Sequence, residues 1–425
     1  MSTMMTFEQL RDAVAGTAAA LRARTRLEPA GGPGSKVFPP TYEGGHYAYE
    51  DRRLPGRIEP VRCVLLDSVQ SQANRIEEAL QRAIDEGRLR LPLIEVDFDP
   101  WFPGEDQPGD LRLLDPVGRI TSLMAPHRIA DAILRDSLLD GTPFRDSEAG
   151  RALDLASARN ATPLYRYCPT ALVLGMWDST GPKGGLGAKF ERAFVSEIVG
   201  IDAVAGARTS SRIDPLGIQL AAGPLYLAES GSWTLDEKRA VTGKKKEPEK
   251  FKTGRPSEVN HGNVTPTIDE TSGGVTISHA EQTAVLSLPA LRRLRFPPEG
   301  ETWTASKEQH ERDTAARTVL AALALCGAAL AAEAGWDLRS RCLLWPAEPL
   351  GWELLGRPGE DPARVTVDAE TAIGLLEQAV EQAKTVGVTW HDEPVILRPR
   401  EDLVRLVVRS QQLAAQQGGE AAGAS

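Results

Sequence analysis

Four cysteines in 425 residues, Cys63, Cys168, Cys326 and Cys342, leave little room for thiol chemistry. No two stand at C-x-x-C spacing, which argues against a zinc site or a dithiol redox motif. They read as small buried apolar residues. Six histidines are scattered, without an H-x-x-x-H or H-E-x-x-H pair, so neither a metal nor a cofactor is expected. Aromatics make up only 5% of the chain. No apolar run reads as long enough to span a bilayer, and the alanine-rich stretch from Thr318 to Gly335 reads as a buried helix. The first residues lack the basic, apolar and small-residue order of a secretion signal. A cytoplasmic protein with no membrane partner is the expectation. An excess of positive charge is also missing: the net charge is −10, which argues mildly against a polyanionic partner. Its distribution is less discouraging. Residues 160–299 hold 17 Lys/Arg against 15 Asp/Glu, so the acid excess lies elsewhere. Local potential matters more than total charge for a nucleic-acid groove.

What is present is ordinary for a folded protein: 41% hydrophobic and 25% charged residues. Residues 1–25 read as a helix with Phe7, Leu10, Val14 and Leu21 on one side. "PVRCVLLDS" reads as a buried strand. The helix after it carries Val69, Ala73, Ile76, Leu80 and Ile84 at helical spacing. "LPLIEVDF" reads as a strand, and "APHRIADAILRDSLLDG" as a helix with Pro126 in its first turn and Gly141 past its end. "ALVLGMW" reads as a strand leading into a glycine-rich loop and then a helix. Residues 228–272 are polar and rich in turn formers, a long insertion or protruding arm. "GVTISHAEQTAVLSL" reads as extended, "PALRRLRF" as a short basic helix, and "RSRCLLWP" as a strand. Two further helices are expected at about 308–334 and 368–386, and a fraying helix end and disordered tail after them. Strands alternating with helices, broken by one long insertion, predict an α+β fold.

Four stretches could carry function. In "STGPKGGLGAKFER", Gly181, Gly184, Gly185 and Gly187 allow close backbone approach. Lys183, Lys189 and Arg192 add cations, and an ensuing helix would offer free N–H groups to a phosphate. A plain flexible connection explains the glycines equally well. The Walker pattern fails, since Ala188 follows Gly187. In "LLDSVQSQANRIEEAL", Asp67 reads as the helix cap with Gln70 as its capping-box partner. Ser68, Ser71, Gln72 and Arg75 share one face, with Asn74 beside it. Such a face suits a phosphodiester backbone; an ordinary solvated face is the alternative. In the arm, Lys244, Lys245 and Lys246 cluster, and His261 and Asn263 lie in a turn-like setting. The lysines also fit a plain solvated run. "ARTSSRIDPLG" supplies Arg208 and Arg212 for gripping phosphate or merely connecting elements.

Taken in order, "VLLDSVQSQANRIEEAL", "APHRIADAILRDS", "GMWDSTGPKGGLGAKFERA", "RTSSRIDPLG", "PSEVNHGNV" and "HAEQTAVLSLPALRRLRF" resemble the backbone RAMP-type subunit of type I-G (formerly I-U) CRISPR Cascade complexes. The resemblance runs from about Val61 to Phe296. It implies a hand-shaped protein whose palm is an RRM-like, ferredoxin-type β-α-β-β-α-β fold with finger and thumb insertions. Copies would stack in a helical filament on CRISPR guide RNA, which pairs with target DNA, beside other type I-G effector subunits. The protein itself would not be an enzyme. In domain terms it implies an N-terminal helix and loop at 1–60, a palm with inserted helices at 61–227, and a thumb-like arm at 228–285. The rest of the palm with helical elements follows at 286–402, then a tail at 403–425. Strand Val61–Leu66 would be the first palm strand. Guide contacts would fall to Ser68, Ser71, Gln72, Asn74, Arg75, the glycine loop, Arg208, Arg212, the arm lysines, His261 and Asn263. No RNP-type aromatic pair stands on a strand, so backbone rather than base contact is expected. The rival readings are a RAMP-type endoribonuclease, with His261 as base or Asp178 as metal ligand, and a phosphate- or nucleotide-binding enzyme.

Overall fold

The computed structural model describes residues 3–181, 184–243, 246–348 and 350–421. Lys183, Lys244 and Lys245 lie outside the described residues. In chain order, the elements that position the site are α1 (Phe7–Ala15), β1 (Ala20–Pro29), β2 (Tyr49–Arg52), β3 (Val61–Asp67) and α2 (Val69–Asp85). They continue with β4 (Phe194–Ile201), β5 (Arg208–Arg212), β6 (Val264–Asp269), β7 (His279–Ser287), α3 (Lys307–Ala334), β8 (Trp352–Leu355), α4 (Ala369–Thr385) and α5 (Glu401–Ala421). The protein is α+β.

The main sheet runs β8–β1–β7–β4–β3–β2 through its middle, each strand antiparallel to its neighbour. Two long crossovers organise it. The chain leaves β1, passes through α2, and returns as β4, parallel to β1 with β7 between them. It then leaves β7, passes through α3, and returns as β8, parallel to β7 with β1 between them. β4 and β7 are direct neighbours, and the residues between them form the arm.

Strand alternation sorts the two faces. Leu21, Ala23, Ala284 and Leu286 are buried in the main core with α2 and α3. The intervening Arg22, Arg24 and Arg26 of β1, and Glu281, Thr283 and Val285 of β7, line the other face. There Arg22 pairs with Glu353 and Arg24 with Glu281. No aromatic side chain stands among these six positions.

α3 is the spine of the core. Ser306 caps its start by accepting from the Gln309 amide, and Gly335 ends it. Fifteen of its residues are buried, on all sides. By length and composition it could cross a membrane, against the sequence expectation, but 72% of its most apolar window is buried inside the protein. A helix apolar all round is what a core position packed by α1, α2, α4 and the sheet demands. A smaller sheet, Arg119–Thr121, Ile94–Asp97, Val395–Pro399, Ser137–Leu139 and Thr142–Pro143, shares the same core.

Several sequence expectations need correction. The N-terminal helix stops at Ala15, ahead of Gly16, and Leu21 lies on β1, the central strand. The 125–141 helix is broken: Asp131 accepts from the His127 and Ile133 amides. That restarts a four-residue helix at Ala132, and Ser137–Leu139 is a strand. Residues Thr170–Leu174 form a helix, not a strand. The glycine loop leads into β4, not into a helix. The C-terminal residues form α5 as far as Ala421, with Val404 and Val408 buried.

Close packing of α3 on α2 yields the first test. A Cβ on Gly327 would stand 2.6 Å from Ile76 Cγ2 and touch Leu80. Gly327→Ala should therefore lower stability by about 1–3 kcal/mol through overpacking, although alanine is the better helix former. Thermal and denaturant unfolding check this.

Candidate functional site

The polar face of α2 turns inward around one acid. Ser68, not Asp67, caps the helix, accepting from the Ser71 amide at 3.2 Å. Asp67 ends β3 with its carboxylate fully buried. It accepts from Ser71 Oγ at 2.7 Å, Gln72 Nε2 at 2.7 Å, Arg75 Nε at 2.9 Å and an Arg339 guanidinium nitrogen at 3.3 Å. Gln72 Oε1 in turn accepts from Ser196 Oγ of β4 at 2.8 Å and Gln282 Nε2 of β7 at 3.0 Å. The Trp336 indole N–H donates to Gln282 Oε1 at 3.2 Å. Arg75 also donates to the carbonyls of Asp337 and Leu338. The stripe read as a phosphate-binding or solvated face thus bonds the helix to three strands. Gln72 is buried, Ser68, Ser71 and Arg75 are half-buried, and Asn74 is exposed.

A second buried pair lies further along α2. Arg128 donates two bonds to the Glu77 carboxylate at 2.6 and 2.8 Å and a third to the Gly175 carbonyl at 2.8 Å. Burial pushes the Glu77 carboxyl up to about 7, with Arg128 pulling the other way. This pair pins the turn that precedes the glycine loop.

The loop itself is a hairpin. Met176–Trp177 pairs with Lys189–Phe190, and the Asp178 amide donates to the Ala188 carbonyl at 2.9 Å. Asp178 is buried, and Arg145 grips both its oxygens at 2.6 and 2.8 Å. A side chain on Gly181 or Gly187 would collide with Asp178. Those two glycines are thus required by the protein's own packing. Gly184 has φ +53° with open space around it, and Gly185 follows it in a short 3-10 turn. Because the next element is a strand, no helix follows the loop to offer its N-terminus, among the described residues. Lys189 and Arg192 are exposed.

The arm leaves the sheet as β5 and returns as β6. Its frame spans about residues 204–276, whereas residues 279–285 belong to β7. Arg208 pairs with Asp269 at 2.9 Å. Arg212 donates to the Asn260 side chain and to the His261 and Gly262 carbonyls. Asn263 accepts from the Asp214 amide at 2.7 Å, and the His261 ring stands edge-on to Trp233 at 6.1 Å. Leu225, Tyr226 and Phe251 form a small buried core at the tip. Lys246 is exposed there.

The structure therefore separates the expected cations. Arg75, Arg208 and Arg212 hold protein groups, while Lys189, Arg192 and Lys246 face solvent. Sequence reasoning gave Asp67 only a capping role and missed Arg145, Glu77, Arg128 and Arg339. An acid ending a strand just before a Ser/Gln/Arg stripe was the available signal for Asp67.

Residues 21–205 match the family model of CRISPR-associated protein GSU0053. No curated protein matches the chain. The matched span runs from β1 through β4, so it holds Asp67, its α2 partners and the glycine hairpin. The match supports a CRISPR-associated protein with a role in CRISPR defence.

Two tests follow. Asp67→Ala leaves Arg75 and Arg339 without their buried counter-charge and should cost about 3–5 kcal/mol of stability, read by denaturant unfolding. At the arm base, the Ser272 hydroxyl and amide, then the Thr271 amide and Arg208, hold the Asp269 carboxyl down to about 2. A carboxyl depressed in the folded state stabilises above its ordinary value near 4 and stops doing so as pH falls through about 2. Pepsin cleavage near residues 264–272 should therefore rise between about pH 4 and 2. Asp269→Asn should show that cleavage already at the upper end of the range.

Proposed function

We propose that this chain is a non-catalytic backbone subunit of a type I-G CRISPR effector complex, binding guide RNA in the cytoplasm. Copies stack along the guide in a helical filament with the other effector subunits, and target DNA pairs to the guide. The carrying observation is the sheet order β8–β1–β7–β4 with its two crossovers through α2 and α3. A ferredoxin-type β-α-β-β-α-β unit has that order, which supports an RRM-like palm. In this reading β1, rather than Val61–Leu66, is the first palm strand, and β3 is an addition beyond β4. The arm between β4 and β7 supports a thumb, and the strands inserted after α2, which build the smaller sheet around Val395–Pro399, are the candidate finger.

Three further features fit. The family match is to a CRISPR-associated protein. The open sheet face lacks aromatics among the central positions of β1 and β7, as backbone contact rather than base stacking on the sheet requires. Asp178, the candidate metal ligand of the ribonuclease reading, has both oxygens engaged by Arg145.

Co-expression with the neighbouring subunits and a CRISPR array should yield a filament carrying RNA of uniform length, seen by electron microscopy and gel analysis. Replacing residues 213–263 by a two-residue turn should leave a folded protein, since Arg212 and Val264 are already paired across the hairpin. Its filaments should pack the guide loosely, read as nuclease sensitivity of the RNA. Purified complexes without RNA, or discrete monomers, would contradict the proposal.

A further inference from the structure

We propose that Trp177, backed by Lys189, is a stacking platform for one base of single-stranded RNA. This rests on the guide-RNA reading and names a base contact within it. The hairpin sorts its four paired residues into two layers. Met176 and Phe190 face in and are buried, while Trp177 and Lys189 face out as a cross-strand pair. Trp177 keeps 52% of its surface exposed, and the Lys189 ammonium lies 5.3 Å from its ring centroid. A cation over one face polarises and orients an indole. Stacking of bases on such rings tolerates any sequence, because every base has a π-face.

The hairpin is built to hold that ring still. Its base is fixed by the buried Asp178–Arg145 pair and by the Asp178–Ala188 backbone bond. Immobilising the platform in advance removes an entropic cost of binding. At the tip, Leu186 is 88% exposed, a second large apolar group on the same hairpin.

Charge selects the occupant. Asp178 is neutralised by Arg145, and Glu191 is paired with Arg293 at 2.7 Å. Lys189 and Arg192 are the exposed cations of the described hairpin residues. An exposed indole beside exposed cations suits an anionic strand with aromatic bases better than an apolar peptide. The platform stands off the main sheet, so the absence of aromatics on that sheet does not bear on it.

The test compares the full chain on two strands of equal length: a single-stranded oligoribonucleotide and its abasic sugar-phosphate counterpart. Fluorescence anisotropy at fixed salt reads the affinities. The parent protein should prefer the base-bearing strand by about tenfold. Trp177→Ala should lose that preference with an unchanged salt slope and unchanged melting temperature, and Trp177→Phe should keep most of it. Equal binding of both strands by the parent, or a preference that survives in Trp177→Ala, overturns the platform alone. Failure of the parent to bind either strand overturns the guide-RNA reading and the platform together. Weakened self-association in Trp177→Ala, with the base preference intact, would assign the hairpin to a neighbouring protein and also overturn it.

Discussion

The buried carboxylate of Asp67 is the constraint on which the packing of α2 against the main sheet depends. An ionised acid taken out of water costs several kcal/mol unless its lone pairs are filled. Here they are filled by one hydroxyl, one amide and two guanidinium groups, drawn from α2 and from the segment after α3. Gln72 extends the arrangement to β4 and β7. A network of this kind is directional where hydrophobic packing is not. It fixes the rotation of α2 about its axis and the register of the helix against three strands. Half-satisfied, the same groups would favour other arrangements.

The second constraint is apolar. α3 is enclosed by α1, α2, α4 and the sheet, and its run of alanines and Gly327 lets those neighbours approach closely. Large side chains there would push α2 away and open the Asp67 network. The two constraints thus meet at one interface. Small residues on α3 set the distance of α2 from the core, and polar residues on α2 set its orientation. The Glu77–Arg128 pair carries that placement to the glycine hairpin through the Gly175 carbonyl.

Much of the secondary structure was legible from pattern. β3, α3 and α4 lie within a residue or two of the expected ends, whereas α2 stops four residues earlier than read and β7 starts five residues later. Short apolar runs were not legible, because "TALVL" satisfies helix and strand templates equally. Sheet order was not legible either. β1 pairs with β7 across more than two hundred residues, and nothing local encodes that register. The polar stripe of α2 misled for a physical reason. Amphipathic analysis assigns polar residues to solvent, but a buried acid outside the helix can recruit the same stripe to the interior. Trp177 was passed over because attention fell on glycines and lysines, whereas the hairpin pairing that turns it outward appears only in three dimensions.

The division of work between arginine and lysine makes the acidic composition compatible with an RNA partner. Arginine's planar fork suits bidentate, partly buried contacts, and lysine is a strongly hydrated point charge that stays at the surface. In this protein Arg75, Arg128, Arg145, Arg208, Arg212 and Arg339 are spent on internal carboxylates and carbonyls. The pairs with Asp67, Glu77, Asp178 and Asp269 remove acids as well as bases from the uncompensated charge. Of the cations expected at the site and described, Lys189 and Arg192 at the hairpin and Lys246 on the arm stay at the surface. Net charge counts paired and unpaired groups alike, so −10 describes the whole chain and says little about those surfaces. On the proposed reading, a hairpin contact built on two exposed cations, an indole and a fixed backbone makes only a few phosphate pairings. In the proposed filament the salt dependence of this contact is then shallow, and tight binding comes from many subunits acting on one strand.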